Sequence, residues 1–169
     1  MLMALHDHCS YCGVAYASGA PWPRQCASCG ETTWRNPLPV AVALLPVETD
    51  DGRGLVLVRR DIEPMRGELA LPGGFIELGE TWQEGMVREL REETTLLADP
   101  ADVRLFDVQS TANGNLIVFG VLPPRPLSAI PSSVATEESL GFEIGVGPQR
   151  LCFPTHTDAM ARYLASADW

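Results

Sequence analysis

The chain contains no lysine: all 12 basic residues are arginine, against 22 Asp and Glu, for a formal charge of −10. No stretch has more than two adjacent basic residues, which excludes a broad electrostatic footprint for duplex nucleic acid or anionic lipid. Any phosphate group it handles must be met locally, through metal. Long apolar runs are also missing. The longest, such as Val40 to Val47, fall far short of the roughly 20 residues of a membrane span. The N-terminus does not read as a signal peptide. These absences predict a cytoplasmic protein with neither nucleic acid nor membrane as partner. What is present is 169 residues, 46% of them hydrophobic, with a mean hydropathy of +0.03. That composition suits a globular chain of one ordinary domain plus a small appendage.

Only five cysteines occur, and four form two CxxC pairs, Cys9/Cys12 and Cys26/Cys29, with 13 residues between the inner two. Four thiolates at this spacing suit a tetrahedral Zn²⁺ site. Gly13 and Gly30 directly follow the second cysteine of each pair, where a left-handed turn is often needed. Two disulfides are the competing reading, disfavoured in a reducing compartment. His6 and His8 stand nearby as alternative ligands but are read as solvated, because four cysteines already complete the site. Cys152, the odd one, reads as a small buried hydrophobe. Between the two knuckles only Arg24 is basic, so the zinc ribbon is read as a folding staple or a dimer contact.

The prolines of Trp34 to Pro39 mark a linker, giving a ribbon over 1–35 and a main domain over 36–169. In that domain the pattern predicts strands at Pro39 to Val47 and Leu55 to Arg60, joined through the D-D-G-R-G turn of 50–54. Pro72-Gly73-Gly74 reads as a break that lets backbone approach a ligand. A helix follows, with a capping box of Thr81 and Glu84 and an apolar stripe of Trp82, Met86, Val87 and Leu90. Strands at Val103 to Val108 and Asn115 to Leu122, a proline-rich loop over 123–133, a short strand near Leu140 to Ile144 and a last helix over 155–165 complete an α/β sandwich.

Glu89, Glu92 and Glu93 are spaced i, i+3 and i+4, which sets three carboxylates on one helix face. They repel one another unless a cation sits among them. A solvated acidic face, with Arg88 pairing to Glu92 and Glu84, is the bland alternative. The preceding residues decide between the two. Gly74, five residues, Glu80, seven residues, then Arg88-Glu89-Leu90-Arg91-Glu92-Glu93 closely resembles the box of the Nudix hydrolases, with Thr95 in place of its final glycine. The four-cysteine ribbon, Asn36-Pro37, Arg60 with Ile62 and Pro64, and Thr136-Glu137-Glu138 before Phe142 are similar to the zinc-ribbon members that cleave FAD, ADP-ribose and NADH.

The resemblance implies a Nudix α/β/α sandwich with a mixed sheet and hydrolysis of a nucleoside diphosphate linked to another moiety. ADP-ribose or an FAD-like dinucleotide is favoured. The downstream signature of the NADH enzymes is absent, so NADH specificity is not expected. A nucleoside triphosphate pyrophosphohydrolase and a non-catalytic nucleotide-binding domain are the alternatives. Hard carboxylates suit Mg²⁺ or Mn²⁺; the implied ligands are Glu89, Glu92, Glu93 and the Gly73 carbonyl. Arg88 is expected to orient Glu89, while Glu80 and Gly74 support the shell. Glu138 is the implied general base, with Glu137 second. Arg60 and Phe75 are candidate substrate contacts, as is Phe119, although core packing is the expected role of both phenylalanines. A homodimer is expected from the family.

Overall fold

The computed structural model describes residues 6–166, and the chain divides into two units that meet between Pro37 and Leu38. In the N-terminal unit β1 (Arg24–Gln25) and β2 (Thr32–Thr33) pair antiparallel. Gly13 and Gly30 stand at φ 75° and 80°. Their N–H groups donate to the carbonyls of Cys9 and Cys26 at 3.0 and 2.9 Å. A side chain would be strained in either turn, which is why glycine follows each CxxC.

In the C-terminal unit the apolar run over 39–47 is two strands rather than one. β3 (Leu38–Leu44) and β4 (Pro46–Thr49) lie in different sheets. The break falls at Leu45, directly before Pro46, whose nitrogen cannot donate to a continuing ladder. A hairpin through Asp50 and Asp51 leads into β5 (Gly52–Arg60), as the turn residues predict. β6 (Leu69–Ala70) pairs with β5. The glycines of 72–74 do not simply break regular structure. They open β7 (Gly73–Phe75), which runs antiparallel to β3. A Cβ on Gly73 would strike the Ala41 carbonyl and Val42 Cα, so the two backbones meet only because the side chain is absent.

Next come α1 (Trp82–Thr94), β8 (Arg104–Ser110) and β9 (Asn115–Val121). The proline-rich segment 123–133 is less of a loop than expected, since it holds β10 (Arg125–Pro126), parallel to β4, and a 3-10 turn at Leu127–Ala129. β11 (Ser139–Val146) and α2 (Pro154–Ala165) complete the unit. One sheet has the order β7-β3-β9-β8, with β3 and β9 parallel; the other has β10-β4-β5-β11, with β6 against β5. This is a mixed α/β fold, as the sequence predicts.

Strand alternation divides the core in two. Ala41, Ala43, Leu45, Val56 and Val58 face one layer with Met86 and Leu90 of α1. Val42, Leu44, Leu55 and Leu57 face the other with Ala159, Met160 and Tyr163 of α2. Strands buried on both faces read in sequence as continuous apolar runs, which hides the alternation. The small residues Ala41 and Ala43 let α1 lie close to β3, and that closeness holds the acidic face of the helix against the Gly73–Gly74 backbone.

The capping box forms as expected. Thr81 Oγ1 accepts from the Glu84 N–H at 3.2 Å, and Glu84 Oε2 accepts from the Thr81 N–H at 2.7 Å. At its other end α1 stops at Thr95, which has φ 65° and ψ 2° and donates its N–H to the Arg91 carbonyl at 2.8 Å. Threonine thus closes the left-handed turn that glycine closes in the family's box. An exposed β-branched residue gains nothing there and pays for the close approach of its Cβ to its own backbone. Thr95→Gly is expected to raise the unfolding free energy by about 0.5–1 kcal/mol, the relief of strain less the greater backbone entropy of glycine. Urea denaturation checks this, and a lower midpoint for the variant would show that Thr95 is not strained.

Candidate active site

Residues 71–75 and α1 build the site together. The Gly73 N–H donates to Glu93 Oε2 at 2.8 Å. A Cβ on Gly74 would fall 2.5 Å from the Glu89 carboxyl group and displace it, so the carboxyl group rests against bare backbone. Glu93 is 5% exposed. Burial pushes its carboxyl up to about 8; the Gly73 N–H opposes that, and the negative charge of Glu89 reinforces it. Glu89 is also raised, first by burial, against the pull of Arg88.

Arg88 does more than orient Glu89. Its Nε and Nη2 grip both oxygens of Glu80 at 2.7 and 3.0 Å, while Nη1 reaches Glu89 at 2.7 Å and Glu92 at 3.1 Å. Nη2 also donates to the Phe75 carbonyl at 2.9 Å. The paired bonds to Arg88, with the Glu77 N–H, hold Glu80 down at about 2. One guanidinium therefore ties the helix to the segment before it. Glu84 is not a partner of Arg88 but is spent on the helix cap.

Glu138 joins the cluster from the start of β11: its charge raises both Glu89 and Glu93. Its carbonyl accepts from the Asp61 N–H at 2.8 Å, and the adjacent Ser139 donates its hydroxyl to the Glu93 carbonyl at 2.6 Å. Glu137 and Glu138 are both exposed, and it is the charge of Glu138 that bears on the acids. Arg60 also reaches the cluster, lowering Glu93 by its charge, while its Nε donates to the Pro64 carbonyl at 3.0 Å and its guanidinium stands 5.3 Å from the centre of the Phe153 ring. Phe119 is wholly buried, so it packs the core as expected and meets no substrate. Phe75 is the opposite. It is 55% exposed rather than a core residue.

The acids suit a hard divalent cation. Buried carboxylates with few donors are costly unless a positive charge offsets them, and Arg88 is largely committed to Glu80. Their oxygens do not converge on one point here: Glu89 and Glu92 turn to Arg88, and Glu93 turns to Gly73. The side chain of Glu92 is 49% exposed, with Arg88 at 3.1 Å and Arg91 at 3.2 Å from its two oxygens.

In the N-terminal unit, by contrast, ligand atoms do converge. The sulfurs of Cys9, Cys12, Cys26 and Cys29 all lie within 4.8 Å of one another, the one such cluster among the described residues. Cys9 Sγ is 3.7 Å from Cys29 Sγ, and Cys12 Sγ is 3.6 Å from Cys26 Sγ. The Cys12 N–H, against the effect of burial, lowers the Cys9 thiol to about 6, which favours the thiolate form that binds metal. The four residues fit a tetrahedral ion and not a pair of disulfides. His6 takes no part; its ring stands 5.7 Å from that of Trp22.

Two residues that touch the site escaped the sequence reading. Ser139 has no local signature. His156 had one: it lies three, four and seven residues before Ala159, Met160 and Tyr163, on the buried face of the last helix.

Comparison with known proteins bears on this geometry. The NUDIX domain model matches residues 37–143. Over 57 residues, 34% of this chain and 33% of the relative, the chain is 46% identical to an ADP-ribose pyrophosphatase of Methanocaldococcus jannaschii. Over 90 residues, 53% of this chain and 33% of the relative, it is 29% identical to the NAD-capped RNA hydrolase NudC of Escherichia coli. The match thus spans about a third of the length of these curated relatives. Among solved structures, a NUDIX hydrolase from Nitrosomonas europaea superimposes with a TM-score of 0.71 at 24% identity, covering 94% of this chain and 90% of the other. The NUDIX domain of Shewanella oneidensis NrtR, complexed with ADP ribose, gives 0.55 at 20% identity over 66% and 74%. These two show the shared fold. With the family model matched over most of its length, and the box acids gathered by α1 and the turn before it, the chain belongs to the NUDIX family.

Proposed function

We propose that this protein hydrolyses the pyrophosphate bond of a nucleoside diphosphate linked to another moiety, with ADP-ribose or an FAD-like dinucleotide as substrate. The observation that carries the reading is the acid pair of buried Glu93 and half-buried Glu89 packed against the Gly73–Gly74 backbone. Glu89, Glu92, Glu93 and the Gly73 carbonyl would hold Mg²⁺ or Mn²⁺. When bound, the metal supplies charge neutralisation at the diphosphate and a more acidic water. The similarity to an ADP-ribose pyrophosphatase supports the choice of substrate.

Arg88 and Glu80 keep the acids facing the substrate. Glu138 approaches from β11 and takes the proton of the attacking water. Arg60 meets a phosphate oxygen, and the exposed ring of Phe75 offers a face for a base. In the N-terminal unit, read as residues 1–35 with the hydrolase domain over 36–169, the four cysteines would hold a structural Zn²⁺. The working form is a homodimer. The one feature that would favour the non-catalytic alternative is Thr95, and the left-handed turn closes with threonine in place.

Product analysis with Mg²⁺ or Mn²⁺ tests the proposal. AMP released from ADP-ribose or FAD supports it. Pyrophosphate released from a nucleoside triphosphate replaces it with the triphosphate alternative, and binding without turnover of any member overturns it. Glu138→Gln is expected to lower kcat by about 10²-fold or more, as loss of a general base does, with KM and Mn²⁺ affinity within about threefold of the parent. A kcat close to that of the parent would remove Glu138 from the reaction.

A further inference from the structure

α2 lies beyond the residues that the family model matches, yet one of its side chains reaches the segment that builds the acid site. His156 Nδ1 accepts the Leu71 N–H at 3.2 Å. Leu71 is 1% exposed, so that N–H has no water to turn to. The imidazole is held edge-on by Phe119 and Phe153, with ring centres 5.9 and 5.0 Å away. Burial, with the charge of Arg60, keeps the ring neutral and one nitrogen available as an acceptor.

The residues after Leu71 are held just as closely. The Pro72 carbonyl accepts from the Ala43 N–H at 2.8 Å, and the Gly73 N–H reaches Glu93. Three successive residues are thus pinned by β3, α1 and α2, and the bond to His156 is the one made by a side chain outside the acid cluster. Gly73 and Gly74 approach the carboxylates without side chains, so a shift of this backbone moves the surface against which Glu89 and Glu93 rest.

We infer that His156 is a positioning residue for the acid site: its Nδ1 fixes the Leu71 amide and, through it, the Gly73–Gly74 backbone against Glu93 and Glu89. The inference rests on the reading of those acids as ligands of Mg²⁺ or Mn²⁺. It makes the last helix part of the hydrolytic apparatus rather than a cover over the core.

Three variants of the full zinc-loaded chain test it. Asn at position 156 brings Oδ1 to the place of Nδ1 and can accept the Leu71 N–H. Gln extends its oxygen to the place of Nε2, and Phe keeps the ring but has no acceptor. Each is measured for Mn²⁺ affinity by calorimetry, for kcat and KM with ADP-ribose, and for hydrogen exchange at the Leu71 and Gly73 amides. His156→Gln and His156→Phe are expected to weaken Mn²⁺ binding and lower kcat by about 10-fold or more, the range seen when a partner of a metal ligand is lost. His156→Asn is expected to stay within about threefold of the parent. A Gln variant with parental Mn²⁺ affinity and kcat, or an Asn variant as impaired as Gln, overturns the inference; Gln serves even if Phe does not fold. A parent that binds no Mn²⁺ at the acids defeats the hydrolase proposal instead. Exchange then decides: faster exchange at Leu71 and Gly73 in Gln but not in Asn supports the role, and unchanged exchange in Gln removes it.

Discussion

Glu93→Gln is expected to make the metal-free protein more stable while lowering turnover by at least about 10²-fold, the scale of removing a charged group that acts in the transition state. The two effects share a cause. Glu93 is buried, accepts one N–H from Gly73 and faces the charges of Glu89 and Glu138. Gln keeps the volume and an oxygen for the Gly73 N–H, and its amide N–H groups face carboxylates that attract them. Removing the cost of burying this acid, which the charge of Arg60 offsets only in part, is worth about 1–3 kcal/mol to the folded state. The same charge is what a divalent cation needs, so the gain in stability is a loss in metal affinity. Chemical denaturation in EDTA, with initial rates in Mn²⁺, measures both. A variant with less stability in EDTA and undiminished turnover would take Glu93 out of the metal shell.

Cys26→Ser is expected to empty the ribbon of zinc and unfold it. Cys26 is 1% exposed, and the N–H groups of Cys29 and Ser28 lower its pKa, so its sulfur is prepared as a thiolate. Among the described residues the unit has the two-residue strands β1 and β2, one bridge between His8 and Ala15, and close contacts such as Tyr16 Oη donating to Thr33 Oγ1 at 2.6 Å. Such a small core cannot fold on burial alone. A structural zinc supplies about 10 kcal/mol or more of folding free energy, and serine is a poor zinc ligand at neutral pH because its hydroxyl stays protonated. Metal analysis should find less than about one-tenth of the parental zinc, and proteolysis should cut within residues 13–25. Stoichiometric zinc in the variant would refute the four-cysteine site. The C-terminal unit has its own core in two layers, so its thermal transition should persist.

Some of this could be read from the chain itself. The CxxC spacing with following glycines, the capping box at Thr81 and the i, i+3, i+4 acids are local patterns, and local patterns carry their geometry with them. The box gave the family for the same reason. The double-sided strands were harder, because burial on both faces erases the alternation that would divide one core layer from the other. The strand break before Pro46 was legible and overlooked.

Other features were decided only by the tertiary structure. Nothing near Arg88 in sequence says that its strongest partner is Glu80 rather than Glu89, since the choice depends on the path of residues 75–80 back to the helix. Phe75 and Phe119 look alike in the chain, yet β7 leaves one exposed and β9 buries the other. Glu138 and Ser139 come to α1 from about 45 residues away along the chain, and His156 reaches Leu71 from 85 residues away. The sequence by itself determined which donors are present, acids of the kind that suit a hard cation and four thiols at a spacing that suits a metal, because residue type and short spacing suffice for that. Which backbone the acids rest against, and which residue holds that backbone still, was decided by strand order and helix packing, because those contacts join segments that no local pattern connects.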